Sequence, residues 1–289
     1  MNVLKIISVL FLLFSISGCV KNNPAPAFIQ IDKWELEANP SLNLEEGVLT
    51  HALTDAWVYV DDKIIGVFEL PVKIPVLVTG NKTIRIFPAI RKNGIRDTKT
   101  IYPFCESVSV PVNLVQNETV TISPKTRYFS NTKFYWKEEF EDVGFSFETD
   151  PVSNATIIRK TNSPEVKYGS GCGFISLNKN SDSLWIGYTN KQLVLPKSGA
   201  EVYLEIDFKT NNNILTGVLG INSFEIKQNP FIQLNKDQNG EWRKIYLDLK
   251  EIVSNSTSAE YFEIYLRALI DPENTTGEIY IDNLKILFF

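Results

Sequence analysis

Over most of its length this chain alternates apolar and polar residues in short runs, and it almost nowhere repeats at helical spacing. In Lys82-Thr83-Ile84-Arg85-Ile86-Phe87-Pro88-Ala89-Ile90, Ile84 and Ile86 fall on one face and Thr83, Arg85 and Phe87 on the other. A period of two belongs to a strand with one face buried. Trp57–Val60, Ile64–Phe68, Val72–Val78, Ser107–Leu114 and Glu118–Ile122 are further β-branched or aromatic runs. Asp61-Asp62-Lys63, Thr79-Gly80-Asn81 and Asn93-Gly94 punctuate them with turn residues. Regularly spaced short strands predict an all-β chain of stacked sandwiches.

Composition supports this and narrows the function. At 44% hydrophobic and 12% aromatic, the 289 residues can fill two cores. A net charge of −5 argues against nucleic acid, which calls for a basic stripe. Lys82, Arg85, Arg91, Lys92, Arg96 and Lys99 do cluster, and they read as the solvated side of strands and a loop.

The first residues read as an address. Lys5 precedes an apolar run, Ile6–Ile16, that is too short to span a bilayer. Ile16-Ser17-Gly18-Cys19 resembles the lipobox of bacterial lipoproteins. The resemblance implies cleavage after residue 18, diacylation of Cys19 and an outer-membrane lipid anchor. More than one acyl chain anchors stably, at about 0.8 kcal/mol per buried methylene. Residues 19–27, with Pro24 and Pro26, read as a tether. Some Bacteroidota-type lipoproteins carry an acidic export run after the cysteine. Val20-Lys21-Asn22-Asn23 lacks it, so either membrane face stays open. Of the other cysteines, Cys105 and Cys172 are expected as buried thiols, since a bridge would join two different domains.

Residues 28–126 form the first expected domain. Val58-Tyr59-Val60-Asp61-Asp62, Lys63-Ile64-Ile65-Gly66, Leu70-Pro71-Val72, Thr79-Gly80-Asn81 and Thr83-Ile84-Arg85-Ile86 follow one another in an order that resembles the small PEGA-type β-domain. The sequence departs from that pattern at Asp62, where the family usually has Gly, and at Glu69-Leu70-Pro71. Residues 127–136 read as a junction. Over 137–289, Glu139-Phe140-Glu141-Asp142, Tyr168-Gly169-Ser170-Gly171-Cys172-Gly173, Glu241-Trp242-Arg243 and Ile281-Asp282-Asn283 are similar to the galactose-binding-like jelly roll of carbohydrate-binding modules. The expected fold is a small PEGA-like β-sandwich followed by a jelly-roll β-sandwich.

No catalytic set emerges. His51 is the one histidine, and no nucleophile elbow accompanies it. The glycines around Ser170 suit a tight turn. The jelly-roll resemblance implies a structural calcium held by Glu139 or Glu141, by Gly171 and by Asp282. Sugar binding calls for exposed aromatics beside polar groups. Tyr261, Tyr265 and Arg267 share strand parity, with Phe262, Ile264 and Leu266 on the opposite face. Trp185 is a second ligand candidate. Trp185 and Tyr188 have opposite parity, so one of the two belongs to the core, and Trp242 reads as core. The sequence thus predicts a non-enzymatic envelope lipoprotein. Its leading role is that of an accessory subunit of an outer-membrane protein complex. The alternative is polysaccharide binding by the jelly roll.

Overall fold

The computed structural model describes residues 24–237 and 239–289. The leader and Cys19 lie outside the described residues. Among the described residues, no helix is long and apolar enough to cross a membrane.

The first half holds ten strands: β1 (Ala27–Ile31), β2 (Glu35–Leu36), β3 (Asp55–Val60), β4 (Lys63–Glu69), β5 (Val72–Val76), β6 (Gly80–Arg91), β7 (Lys99–Ile101), β8 (Val108–Leu114), β9 (Thr119–Ile122) and β10 (Lys125–Thr126). One sheet runs β5-β1-β9, and the other runs β4-β3-β6-β7 with β8 also on β6. Ile29, Ile31, Ile74 and Ile122 from the first meet Val58, Ile84 and Ile86 from the second in one core. Asp61 and Asp62 both take positive φ, 47° and 62°, which closes the β3–β4 hairpin in the left-handed region that Asp tolerates. The expected tether ends sooner than its proline-rich sequence suggests. β1 begins at Ala27, pairs antiparallel with β5, and pairs parallel with β9 from nearly a hundred residues away.

The second half adds β11 (Lys133–Glu138), β12 (Phe147–Thr149), β13 (Ile157–Thr161), β14 (Gly171–Asn178), β15 (Leu184–Thr189), β16 (Val202–Thr210), β17 (Ile214–Ile221), β18 (Ile226–Leu234), β19 (Arg243–Asp248), α1 (Lys250–Asn255), β20 (Tyr261–Leu269) and β21 (Thr276–Phe288). A six-stranded sheet runs β13-β14-β21-β16-β19 with β11 on β21, and a five-stranded sheet runs β12-β15-β20-β17-β18. From β14 on, the chain passes back and forth between the two sheets. That is jelly-roll connectivity, with all pairs antiparallel. Trp185, Ile206, Val218, Leu266 and Ile281 fill the space between the sheets.

The two halves share an interface that alternation alone does not reveal. The outer face of β16, β19 and β21 is covered by the first half, and Tyr203, Tyr246 and Leu287 join the first half's core. The polar residues on this face are buried with them. Glu205 is fully buried and meets Lys244, which is 3% exposed, at 2.9 Å. Glu205 also accepts from Tyr128 Oη at 2.9 Å and from Tyr102 Oη. Lys244 lies 3.6 Å from Asp207, and Thr50 donates to the same carboxylate. Lys285 donates to the carbonyls of Glu46 and Val48. At the rim the Asn93-Gly94 turn docks on β19. Asn93 N donates to Tyr246 O at 2.9 Å, and Asp248 N donates to Asn93 Oδ1 at 2.8 Å. Gly94 has φ 72°, and a Cβ there would sit 2.8 Å from Ile245 Cδ1, so both conformation and space require glycine.

Cys105 and Cys172 are free and buried. The basic cluster of the first half is largely neutralised in place. Lys82 pairs with Asp61, Arg85 with Asp62, Arg91 with Glu69, Lys92 with Asp248 and Lys99 with Asp55.

Candidate functional site: a tyrosine-lined sheet face

The five-stranded sheet turns its other face away from the core. Along β20, Phe262, Ile264 and Leu266 are buried inward, while Tyr261, Glu263, Tyr265 and Arg267 lie outward. Strand pairing places Tyr188 opposite Tyr265, Leu219 opposite Glu263 and Ile221 opposite Tyr261. Leu219, Ile221 and Tyr265 form an apolar cluster with the half-buried Tyr188 and Tyr261 against it.

Tyr265 is only 5% exposed although it faces outward. The reason is Gly217, its partner on β17: a Cβ at Gly217 would lie 2.2 Å from Tyr265 Cζ. The ring therefore lies down over bare backbone. Tyr188 and Tyr261 supply rings beside it. The edge of the sheet is β18, where Pro230 pairs with Gly217 across a register shift. Proline is tolerated there because an edge strand has an unpaired side.

Polar groups flank the aromatic strip. Tyr188 Oη donates to Asp150, and burial with this bond raises its pKa. Glu148 sits opposite Tyr188 on β12. Burial raises the pKa of Glu263, and Glu148 nearby adds to the rise. The face therefore combines rings, hydrogen-bonding groups and a mild excess of acid. It can stack on the apolar side of a sugar ring and bond its hydroxyls, and it disfavours polyanions.

Trp185 corrects an expectation. It points into the core with no exposure, between Phe147 and Gly187, where a Cβ on Gly187 would meet its ring at 2.4 Å. It is a packing residue and cannot stack on a ligand. Trp242 also departs from its expected core position. It is half-buried, with Nε1 donating to Glu165 O at 3.0 Å.

Of the residues expected around calcium, Glu139 and Glu141 lie close enough to Asp282 to act on its charge, and each is also held by protein donors. Burial pushes the Glu141 carboxyl up, but the bonds it accepts from Ser170 N and Ser170 Oγ, with Gly171 N and the Arg159 charge, together outweigh burial and hold it below its usual range. Glu139 accepts from Val48 N at 2.7 Å. The guanidinium of Arg159 donates to the carbonyls of Phe140 and Glu141 and to Ser170 Oγ, beside Gly171. A side-chain cation already serves these oxygens. Asp282 keeps one oxygen without a partner, but among the described residues no three acids, histidines or cysteines gather into a metal site. Arg159→Met should therefore lower Tm by several degrees, as expected for about 1–2 kcal/mol of lost charge-assisted bonds. EDTA should leave Tm unchanged, and a drop of several degrees with EDTA alone would reinstate the metal.

The residues weighed for catalysis are engaged elsewhere. His51 is exposed and accepts from Leu53 N through Nδ1, and burial with the nearby Lys244 charge lowers its pKa. Ser170 Oγ is tied to Glu141 and Arg159. Cys172 is buried, and its thiol is pushed up to about 12, so it does not supply a thiolate at neutral pH.

No protein-family model matches the chain, and no curated protein matches it. Solved structures are similar to it at low identity. A carbohydrate-binding module described as having promiscuous specificity, from the β-sandwich superfamily, aligns at 13% identity with a TM-score of 0.40 over 80% of this chain and 84% of that one. A xylan-binding domain of family 22 aligns at 12% and 0.38 over 54% and 94%. The enzymatically active domain of tailspike protein 4 from bacteriophage CBA120 aligns at 12% and 0.41 over 52% of this chain, which spans 20% of that one.

Proposed function

We propose that this chain is a non-catalytic glycan-binding protein, held at the outer membrane by lipid on Cys19, and that the tyrosine-lined face of the five-stranded sheet receives a neutral saccharide chain. The observation that carries this reading is the cluster of Tyr188, Tyr261 and Tyr265 on the outward face of the sheet, with Tyr265 packed over Gly217. Such an aromatic strip can receive a saccharide chain on the half-exposed rings of Tyr188 and Tyr261, with Glu148, Glu263 and Arg267 on the same face to meet hydroxyls.

A second reading has its own support. Phe224 and Ile226 stand 96% and 64% exposed at the β17–β18 hairpin beside this face. Exposed apolar side chains at the end of an aromatic strip also suit a protein partner, so an accessory role in an outer-membrane complex remains the competing function.

A panel of neutral oligosaccharides read by calorimetry separates the two. Tyr188→Ala and Tyr261→Ala should each weaken the best binder by roughly tenfold or more, the loss expected from about 1–3 kcal/mol of stacking and burial. If the panel is silent while a mild-detergent pull-down returns one stoichiometric membrane protein, the accessory reading replaces the glycan reading.

A further inference from the structure

The two halves enclose a cleft of about 840 Å³ where the first half meets the end of the jelly roll. That volume lies in the range of small-molecule sites, and junctions between folded units are where such sites concentrate. His51, Arg91 and Asn93 line one side, and Tyr168, Trp242 and Arg243 line the other. The buried Lys244–Asp207 contact forms part of its base. Because that contact belongs to the interface between the halves, the cleft is preformed.

Its charge runs against that of the protein. The chain carries −5, yet the lining includes Arg91, Lys167, Arg243 and Lys244 against the single acid Asp207. Two of the four cations are already paired: Arg91 with Glu69, and Lys244 with Glu205 and Asp207. The other two have no acidic partner in contact among the described residues. Lys167 is exposed and lies 5.2 Å from the centre of the Tyr168 ring. Arg243 is half-buried over Phe208, 4.6 Å from the ring centre, and donates one N–H to Asn235 O. Its Nε is buried and has no partner among the described residues. Burial pulls its pKa down, and only Asp237 pulls it back. A guanidinium placed so, with unused donors, is a ready receptor for a planar or tetrahedral anion.

The rest of the lining matches a sugar. Trp242 and Tyr168 pack edge to face at 6.1 Å, and Gln233 and Asn235 bring amides to the rim. His51 accepts at Nδ1 and so carries its proton on Nε2 as a donor. From this geometry we infer that the cleft between the halves binds a saccharide bearing a carboxylate or sulfate group, with Arg243 holding the anion and Trp242 and Tyr168 contacting the ring. This site is separate from the tyrosine face, whose ligands are neutral and whose neighbouring charges are acidic.

The test is calorimetric titration of the full chain with tetragalacturonate, a carrageenan-derived tetrasaccharide that carries sulfate but no carboxylate, and neutral cellotetraose. One of the two anionic probes should bind, and which one tells carboxylate from sulfate. Raising the salt should weaken that binding, and cellotetraose should not compete for it. Arg243→Gln should weaken it roughly tenfold to a hundredfold, the range for losing charge-assisted bonds. Lys167→Ala, at an exposed position where folding is not at risk, should weaken it severalfold. The proposal is overturned if neither anionic probe binds, or if both variants bind as tightly as the parent chain. Either result leaves the tyrosine-face reading standing, because that face is scored with neutral glycans.

Discussion

Lys244→Met should lower the free energy of unfolding by about 3–5 kcal/mol, the range for removing one partner of a buried ion pair. Lys244 is the cation that Glu205 and Asp207 share inside the interface between the halves. Burial alone would raise the pKa of Glu205, but Lys244, Lys285 and the Tyr102 hydroxyl outweigh it and hold the carboxyl below its usual range. Burial likewise opposes the charge on Lys244, and Glu205 and Asp207 restore it, raising its pKa. Without the lysine, a carboxylate with no exposure keeps only the Tyr102 and Tyr128 hydroxyls. Adding Glu205→Gln to the Lys244→Met chain should recover part of the loss, because the remaining buried charge is then removed. The two changes should be far from additive. Urea unfolding followed by tryptophan fluorescence reads the difference. A loss under about 1 kcal/mol would mean that the buried Lys244 charge does not stabilise the packing of the two halves.

The second large effect is a stability minimum near pH 8. Burial pushes Asp282 up to about 8. Its bond from Asn283 N opposes this, and Asp207, Glu141 and Glu139 add to it. An acid whose folded pKa is raised stabilises the fold fully below its unfolded pKa, near 4, and loses that contribution as pH climbs to the folded value. At about 1.4 kcal/mol per unit, the loss between pH 4 and 8 is of the order of 5 kcal/mol. Lys285 works in the next window. Burial and the charge of Lys244 lower its pKa to about 8. The folded chain then holds fewer protons on this group than the unfolded chain between pH 8 and about 10.5, so stability rises again across that range. Asp282→Asn should flatten the acid side of the profile and Lys285→Met the alkaline side. Differences from the parent chain, taken at each pH, cancel the other titrating groups. Parallel profiles for parent and Asp282→Asn would contradict the assignment.

Strand periodicity carried much of this structure. The parity of Tyr261, Tyr265 and Arg267 against Phe262, Ile264 and Leu266 places each side chain on the face it occupies, because the pleat alternates strictly. The same rule separates Trp185 from Tyr188, but it cannot say which of the two faces the core. That depends on Gly187 clearing space beneath the indole, which is a packing fact. Periodicity was also silent on what covers a face. Glu205, Asp207, Lys244 and Lys285 alternate with core residues as solvated polar residues do, yet the first half buries them. β1 was legible in Phe28-Ile29-Gln30-Ile31 and was masked by the prolines just before it. Its parallel partner β9 lies too far along the chain for local pattern to reveal. Trp242 and Arg243 belong to a cleft that exists only because both halves meet, so no single stretch of sequence contains its signature.

The most direct measurement of the proposed glycan-binding face is hydroxyl-radical footprinting of the full chain, with and without its best neutral oligosaccharide. Tyr188 and Tyr261 are half-buried rings on that face, and Leu44, 78% exposed in the first half, serves as an internal reference. Bound sugar should reduce oxidation at both tyrosines and leave Leu44 unchanged. Unchanged oxidation at Tyr188 and Tyr261 when sugar is bound, with protection on another surface, would contradict the assignment of this face.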